Sequence, residues 1–191
     1  MARPVAAGTL RALRSPGFLA AGTGARIVLA PVVMALVLGH ADDAAAIVFV
    51  IAAATDYVDG RLARRWNVTS RLGSFLDTTA DKLLVTAALI ALVAVDRASP
   101  WVAAIIIGRE LVLLGLRAAV AAEGRHLEAS LLGKWKTTVQ FVAIALAMLR
   151  PAVTIAGAYL DEWVMAAAAV ITVWSAAAYL ARFASALRPT P

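Results

Sequence analysis

Apolar residues run along this chain in long blocks rather than in alternation with polar ones. Six blocks stand out: Phe18 to Leu38, Ala44 to Leu62, Leu72 to Val95, Trp101 to Ala122, Leu132 to Leu149 and Trp163 to Phe183. Each is near the ~20 residues a helix needs to cross the hydrocarbon of a bilayer. The pattern therefore predicts an all-α integral membrane protein with six transmembrane helices and both termini on one side. Ahead of the first block, Arg3, Arg11 and Arg14 alternate with Val5, Leu10 and Leu13 between Ala2 and Ser15. That stretch reads as an amphipathic helix lying on the membrane surface, with a frayed basic tail as the plainer alternative. Residues 1–16 would then be a juxtamembrane helix and residues 17–191 a single six-helix domain. A signal peptide fits poorly, because the apolar run that follows is too long, contains Arg26 and lacks a clear cleavage site.

Composition agrees with the pattern. The chain has 191 residues, 62% of them hydrophobic, and a mean hydropathy of +0.84. Such values exclude an ordinary soluble domain. The absence of Cys excludes a disulfide framework and a thiolate metal site. The net charge of +6 comes from basic residues near the ends of the blocks, where an anionic membrane surface favours them. Nucleic acid is not an expected partner, since the arginines are interleaved with apolar spans rather than gathered on one face. The outer loops would be Gly39–Asp43, Asp96–Pro100 and Arg150–Glu162, with Arg97 and Arg150 as their basic residues. Arg3, Arg11, Arg14, Arg61, Arg64, Arg65, Arg71, Arg125, Lys134, Arg182 and Arg188 fall on the other side, which the positive-inside rule makes cytoplasmic. His40 and His126 read as loop residues, and Trp101, Trp163 and Trp174 as interface anchors or packing.

Four carboxylates interrupt this apolar background at regular intervals. Asp56, Asp59, Gly60, Ala63 and Arg64 follow i, i+3, i+4, i+7 and i+8, one stripe of a helix. Gly73, Asp77 and Asp81 follow i, i+4 and i+8 on the next. The short connection from Arg65 to Leu72 makes the two helices antiparallel neighbours, so the acids should gather near the cytoplasmic end. Clustered carboxylates stay ionised only beside compensating cations. Oxygen-only ligands favour a hard ion, Mg²⁺ or Mn²⁺, and four acids suffice for two ions and in-line displacement at phosphorus. Arg64 is a natural partner for a phosphate oxygen. The plainer reading pairs the acids with Arg61, Arg64, Arg65 and Arg71 at a wet interface.

The string Asp-x2-Asp-Gly-x2-Ala-Arg-x8-Gly-x3-Asp-x3-Asp, from Asp56 to Asp81, resembles the signature of the CDP-alcohol phosphotransferases at all eight positions. The resemblance implies a six-helix membrane fold, commonly a homodimer, that transfers a phosphoalcohol from a CDP-linked donor to an acceptor hydroxyl. It implies Asp56, Asp59, Asp77 and Asp81 as metal ligands, Asp81 also as general base, and Gly60, Ala63, Arg64 and Gly73 as lining of the CDP site. Thr23, with Arg26 and Pro31, also fits the family's first span and joins the donor-binding set.

The acceptor must be read from other residues. Arg109 and Glu110 lie deep in the fourth block, Arg117 shares a face with Glu110, and Lys134 and Lys136 open the fifth. Cations near a carboxylate metal site suggest an anionic acceptor, a phosphate, although Lys134 and Lys136 also fit ordinary cytoplasmic flank charges. Arg61 to Asn67, Asp81 to Val85, Arg109-Glu110 and Gly133-Lys134-x-Lys136-Thr137 resemble the phosphatidylglycerolphosphate synthase branch of that family. That branch implies CDP-diacylglycerol as donor and sn-glycerol 3-phosphate as acceptor, held by Arg109, Arg117, Lys134 and Lys136. It also implies a multi-pass protein of the bacterial inner membrane with its active site toward the cytoplasm. Leu19-Ala20 departs from the branch's usual Pro-Asn, and Thr78 stands where Pro is usual. Inositol phosphate, or phosphatidylglycerol giving cardiolipin, remain alternative acceptors. A cation transporter using the same carboxylates is the alternative from another class.

Overall fold

The computed structural model describes residues 16–66, 71–122 and 131–186, with side chains described for 22–55, 75–122 and 136–181. The surface helix expected before residue 16 lies outside the described residues. Six helices follow one another among those described: α1 (Pro16–Leu38), α2 (Asp42–Trp66), α3 (Arg71–Ala94), α4 (Pro100–Ala122), α5 (Leu131–Leu149) and α6 (Leu160–Ala186). Each matches one apolar block, with ends displaced by no more than a few residues. Between α5 and α6 a small antiparallel hairpin pairs β1 (Thr154–Ile155) with β2 (Ala158–Tyr159), Thr154 opposite Tyr159 and Ile155 opposite Ala158.

The chain divides into two compact units, residues 1–88 and 89–191. In the first, α1 packs on α2. The inward stripe of α1 is Thr23, Arg26, Ala30, Val33 and Val37, and α2 answers with Ala45, Ala46, Phe49 and Ala52. In the second, α6 packs on both α4 and α5. The inward residues of α4 are Ala103, Ile106, Glu110, Leu113 and Val120. Those of α5 include Lys136, Gln140, Ala143, Ile144, Ala147 and Met148, and those of α6 include Met165, Ala168, Ala169, Thr172 and Ser175. Alanine is prominent in every stripe, so backbones can approach closely and gain dispersion contact. Several large apolar side chains point the other way. Trp101 is 80% exposed, Trp174 72% and Val170 69%. Leu160–Ala181 is the one described segment long and apolar enough to cross a membrane by length and composition, and Gly22–Leu38 and Lys136–Leu149 are shorter apolar stretches.

The helix ends are built by left-handed caps on residues other than glycine. After α1, the Ala41 amide donates to Leu36 O and the His40 amide to Val37 O, which places His40 at φ 55°. After α3, the Arg97 amide donates to Leu92 O and the Asp96 amide to Val93 O, with Asp96 also at φ 55°. These are Schellman closures, which use up the orphan carbonyls of the last turn. The hairpin turns on Ala156 (φ 52°) and Gly157 (φ 85°), the two positive φ values of a tight two-residue loop. It is tied to α6 by Trp163, whose Nε1 donates to Ile155 O at 2.9 Å. Arg150 lies 4.5 Å over the Tyr159 ring and 3.6 Å from Glu162, so the loop expected between Arg150 and Glu162 is an ordered cap.

A side chain at φ 55° is strained relative to glycine by up to ~1 kcal/mol. His40→Gly is therefore expected to keep the fold and raise the melting temperature in detergent by a few degrees. A drop in melting temperature would show that the imidazole makes a contact worth more than the strain.

Candidate active site

The acidic string occupies two continuous helices. Asp56, Asp59, Gly60, Ala63 and Arg64 lie on the last turns of α2, and Gly73, Asp77 and Asp81 on the first turns of α3. Neither stretch is broken, so the spacings translate directly into one face on each helix. The side chains of Asp56, Asp59, Arg64, Gly60, Ala63 and Gly73 lie outside the described residues, and so does that of Lys134.

Asp77 and Asp81 are described, one turn apart on α3. Oδ1 of Asp77 accepts two hydrogen bonds from α1, one from Arg26 Nη2 at 2.8 Å and one from Thr23 Oγ1 at 3.3 Å. Arg26 is 1% exposed while the Asp77 side chain is 38% exposed. The ion pair therefore has a buried cation and a carboxylate open at its far side. Asp81 is less open, and its Oδ2 accepts from Lys82 Nζ at 3.0 Å. Among the described residues, Asp77 Oδ2 and Asp81 Oδ1 receive no hydrogen bond. These leftover oxygens are the donor type that a hard divalent cation takes. No group of three or more His, Cys, Asp or Glu able to hold a metal occurs among the described residues, and the other two carboxylates of the string fall outside them. The residues present thus fit a hard cation in chemistry and in placement along the helices.

Thr23, expected to line the CDP site, donates to Asp77. Arg26 has a more direct part than its sequence position suggested. Its signal was available: an arginine in the middle of an apolar block demands a partner. What the chain could not reveal is that the partner lies on α3.

The second unit has its own polar centre. Glu110, on the buried stripe of α4, accepts on Oε1 from Arg109 Nη1 at 2.9 Å and from Lys136 Nζ of α5. Arg109 Nη2 also donates to Ser175 Oγ at 3.0 Å, and the Ser175 hydroxyl donates to Thr172 O at 3.0 Å. α4, α5 and α6 are thus joined by one hydrogen-bonded chain. Lys136 is 2% exposed, which overturns the reading of that residue as a flank charge in water. Arg117 is not part of this chain. It lies on the exposed side of α4 with its guanidinium 5.4 Å from the centre of the Tyr179 ring. The structure therefore brings Arg109 and Lys136 together around Glu110 and leaves Arg117 exposed, outside the hydrogen-bonded chain. From the sequence Glu110 reads only as a charge deep in a block; two cations meeting on it make it the hub.

These observations define a class: a helical protein whose acidic string runs across two consecutive helices, with a second, cationic centre downstream. A family model for CDP-alcohol phosphatidyltransferase matches residues 20–174, and the chain belongs to that family of membrane-associated enzymes. It is 42% identical over 142 residues to the CDP-diacylglycerol–glycerol-3-phosphate 3-phosphatidyltransferase of Bacillus subtilis (strain 168), covering 66% of this chain and 74% of the relative. It is 41% identical over 163 residues to proteins of the same name from Shigella flexneri serotype 5b (strain 8401) and Escherichia coli (strain K12), covering 81% of this chain and 88% of each relative.

The buried Glu110 centre makes a stability prediction. Removing the carboxylate leaves Arg109 and Lys136 facing each other unneutralised, which for a broken buried pair costs about 3–5 kcal/mol. Glu110→Ala should therefore lower the melting temperature sharply. Glu110→Gln combined with Lys136→Met, which removes one charge of each sign, should recover much of that loss. If the double variant is no more stable than Glu110→Ala, the ion pairing is not what holds the three helices.

Proposed function

We propose that this chain transfers the phosphatidyl group of CDP-diacylglycerol to the primary hydroxyl of sn-glycerol 3-phosphate, releasing CMP and forming phosphatidylglycerol phosphate. The observation that carries the reading is the unbroken acidic string from Asp56 to Asp81 in a chain 41% identical, over 81% of its length, to relatives named for that reaction. The exposed tryptophans and valines and the alanine-lined interior support six membrane-spanning helices, with both termini and the acidic string on the cytoplasmic side of a bacterial inner membrane. A homodimer is the expected assembly.

The roles follow from the chemistry of each group. Asp56, Asp59, Asp77 and Asp81 hold Mg²⁺ or Mn²⁺, two ions in this reading. When bound, the metal supplies electrostatic stabilisation to the diphosphate and to the departing phosphate oxygen. Gly60, Ala63 and Gly73 leave room for the cytidine and diphosphate, and Arg64 neutralises a phosphate oxygen. The acyl chains lie among the apolar side chains that face the lipid. Arg117, the exposed cation of α4, and Lys134 take the acceptor phosphate directly. Arg109 and Lys136, already engaged by Glu110, add one excess positive charge to the acceptor-binding set. Asp81, whose Oδ2 is occupied by Lys82, uses Oδ1 to accept the proton of the acceptor hydroxyl. The freed oxygen attacks the phosphorus bearing diacylglycerol as its bond to the CMP oxygen breaks.

The decisive experiment offers purified protein labelled CDP-diacylglycerol, Mg²⁺ and a panel of acceptors: glycerol 3-phosphate, inositol phosphate and phosphatidylglycerol. Phosphatidylglycerol phosphate should be the lipid product, and EDTA should abolish it. Asp81→Asn should lower turnover by about 10²- to 10⁴-fold, the usual weight of a general base. Product formed only from another acceptor would reassign the substrate, and near-normal turnover of Asp81→Asn would remove it as the base.

A further inference from the structure

We propose that Thr23 and Arg26 clamp one oxygen of Asp77, so that Asp77 can bind a metal only through the other. The clamp thereby selects a small octahedral ion over calcium. The inference rests on the reading of Asp77 as a metal ligand, and it makes Thr23 and Arg26 positioning residues rather than donor ligands.

The geometry is specific. Thr23 and Arg26 are three residues apart on α1, on one face, and both donate to the same atom, Asp77 Oδ1. Both helices are continuous through these positions, so the clamp has little slack. Arg26 is 1% exposed and cannot follow solvent away from the carboxylate. Neutralising Arg26 would require only the ion pair. The hydroxyl of Thr23 is an extra donor, and two other described threonines show the local alternative. Thr55 Oγ1 donates to Ile51 O at 3.0 Å, and Thr79 Oγ1 donates to Phe75 O at 2.8 Å, each within its own helix. Thr23 reaches across to another helix.

The consequence lies in how carboxylates bind different ions. Calcium takes six to eight oxygens at about 2.3–2.6 Å and readily accepts both oxygens of one carboxylate. Magnesium and manganese take near-octahedral sets of single oxygens and, for magnesium, retain water. An Asp77 whose Oδ1 holds two hydrogen bonds can offer Oδ2 alone. It suits the octahedral ions and withholds the chelate that calcium would use. Releasing the clamp frees both oxygens and should improve calcium binding relative to magnesium.

The test measures affinity, not turnover. The full chain in detergent is titrated with Mn²⁺ by electron paramagnetic resonance, and Mg²⁺ and Ca²⁺ are then used as competitors. The quantity read is the ratio of the Ca²⁺ to the Mg²⁺ dissociation constant. Removing the Arg26 charge strengthens binding of every divalent ion alike, and the ratio cancels that effect. Arg26→Met, which removes the donor, should lower the ratio by about tenfold, the lower end of what partners behind a metal ligand contribute. Thr23→Val should lower it less, and Arg26→Lys, which keeps a donor on Oδ1, should stay nearer the parent. Thr23→Val leaves the buried charge pair intact, so it decides the matter if Arg26→Met does not fold. Asp77→Asn is the control for the underlying reading. Parent-like Mn²⁺ binding by Asp77→Asn would show that Asp77 is not a ligand. Weakened Mn²⁺ binding by Asp77→Asn together with an unchanged ratio in Thr23→Val and Arg26→Met would overturn the clamp while leaving the metal site standing.

Discussion

Everything in this fold depends on one constraint: a charge placed among apolar helices must meet its partner there. On insertion scales a charged side chain at the centre of a spanning helix costs about 2.5–3.5 kcal/mol. That is comparable to the gain from burying one or two large apolar side chains. Arg26 sits on the same buried stripe as Ala30, Val33 and Val37. Glu110 sits on the stripe of Ile106 and Leu113. In each unit the charge is answered across a helix interface, Arg26 by Asp77 and Glu110 by Lys136 as well as its neighbour Arg109. Such pairs add little net stability over an apolar core. They do specify which helix faces which, because every other rotation or register would strand a charge.

That constraint explains which parts of the fold could be read along the chain. The six helices were legible because each coincides with one long apolar block of the sequence. Their ends were legible to within a few residues, since Pro100 and Arg150-Pro151 stop or start a helix wherever they fall. Which face turns inward was not legible from hydrophobicity. Val28 and Val33 are identical in type, yet one is exposed and the other buried. The exposed and buried faces of these helices are both apolar, so periodicity carries little contrast. The contrast comes from the minority residues: Thr23, Arg26, Glu110, Lys136, Gln140, Thr172 and Ser175 all point in. The hairpin before α6 left no signal either, because Ala156 adopts a positive φ that alanine does not advertise.

The candidate site divides along the same line. The spacing of Asp56, Asp59, Asp77 and Asp81 survives into the structure because both stretches are helical, and a helix converts sequence interval into angle. The chemical roles of those positions came from the family pattern, which spacing alone does not contain. The partners of the site depend on pairing between distant segments. Arg26 lies 51 residues from Asp77 in the chain, and Lys136 lies 26 residues from Glu110. A local pattern can flag each residue as costly, but only packing names what relieves the cost.

A carboxylate with one oxygen held and the other open is a different ligand from a free one. The buried guanidinium of Arg26 and the hydroxyl of Thr23 both donate to Asp77 Oδ1, so α1 fixes this side chain before any ligand arrives. Asp81 is treated alike by Lys82, which holds Oδ2 and leaves Oδ1 open. The two acids one turn apart on α3 are therefore prepared in the same way, each with one oxygen assigned to the protein. Preorganisation of this kind is what a phosphoryl-transfer site requires, since its catalysis comes chiefly from charges already in position before the substrate arrives. Arg26, the costly charge of the first apolar block, is thus answered by one of the four acids of the string.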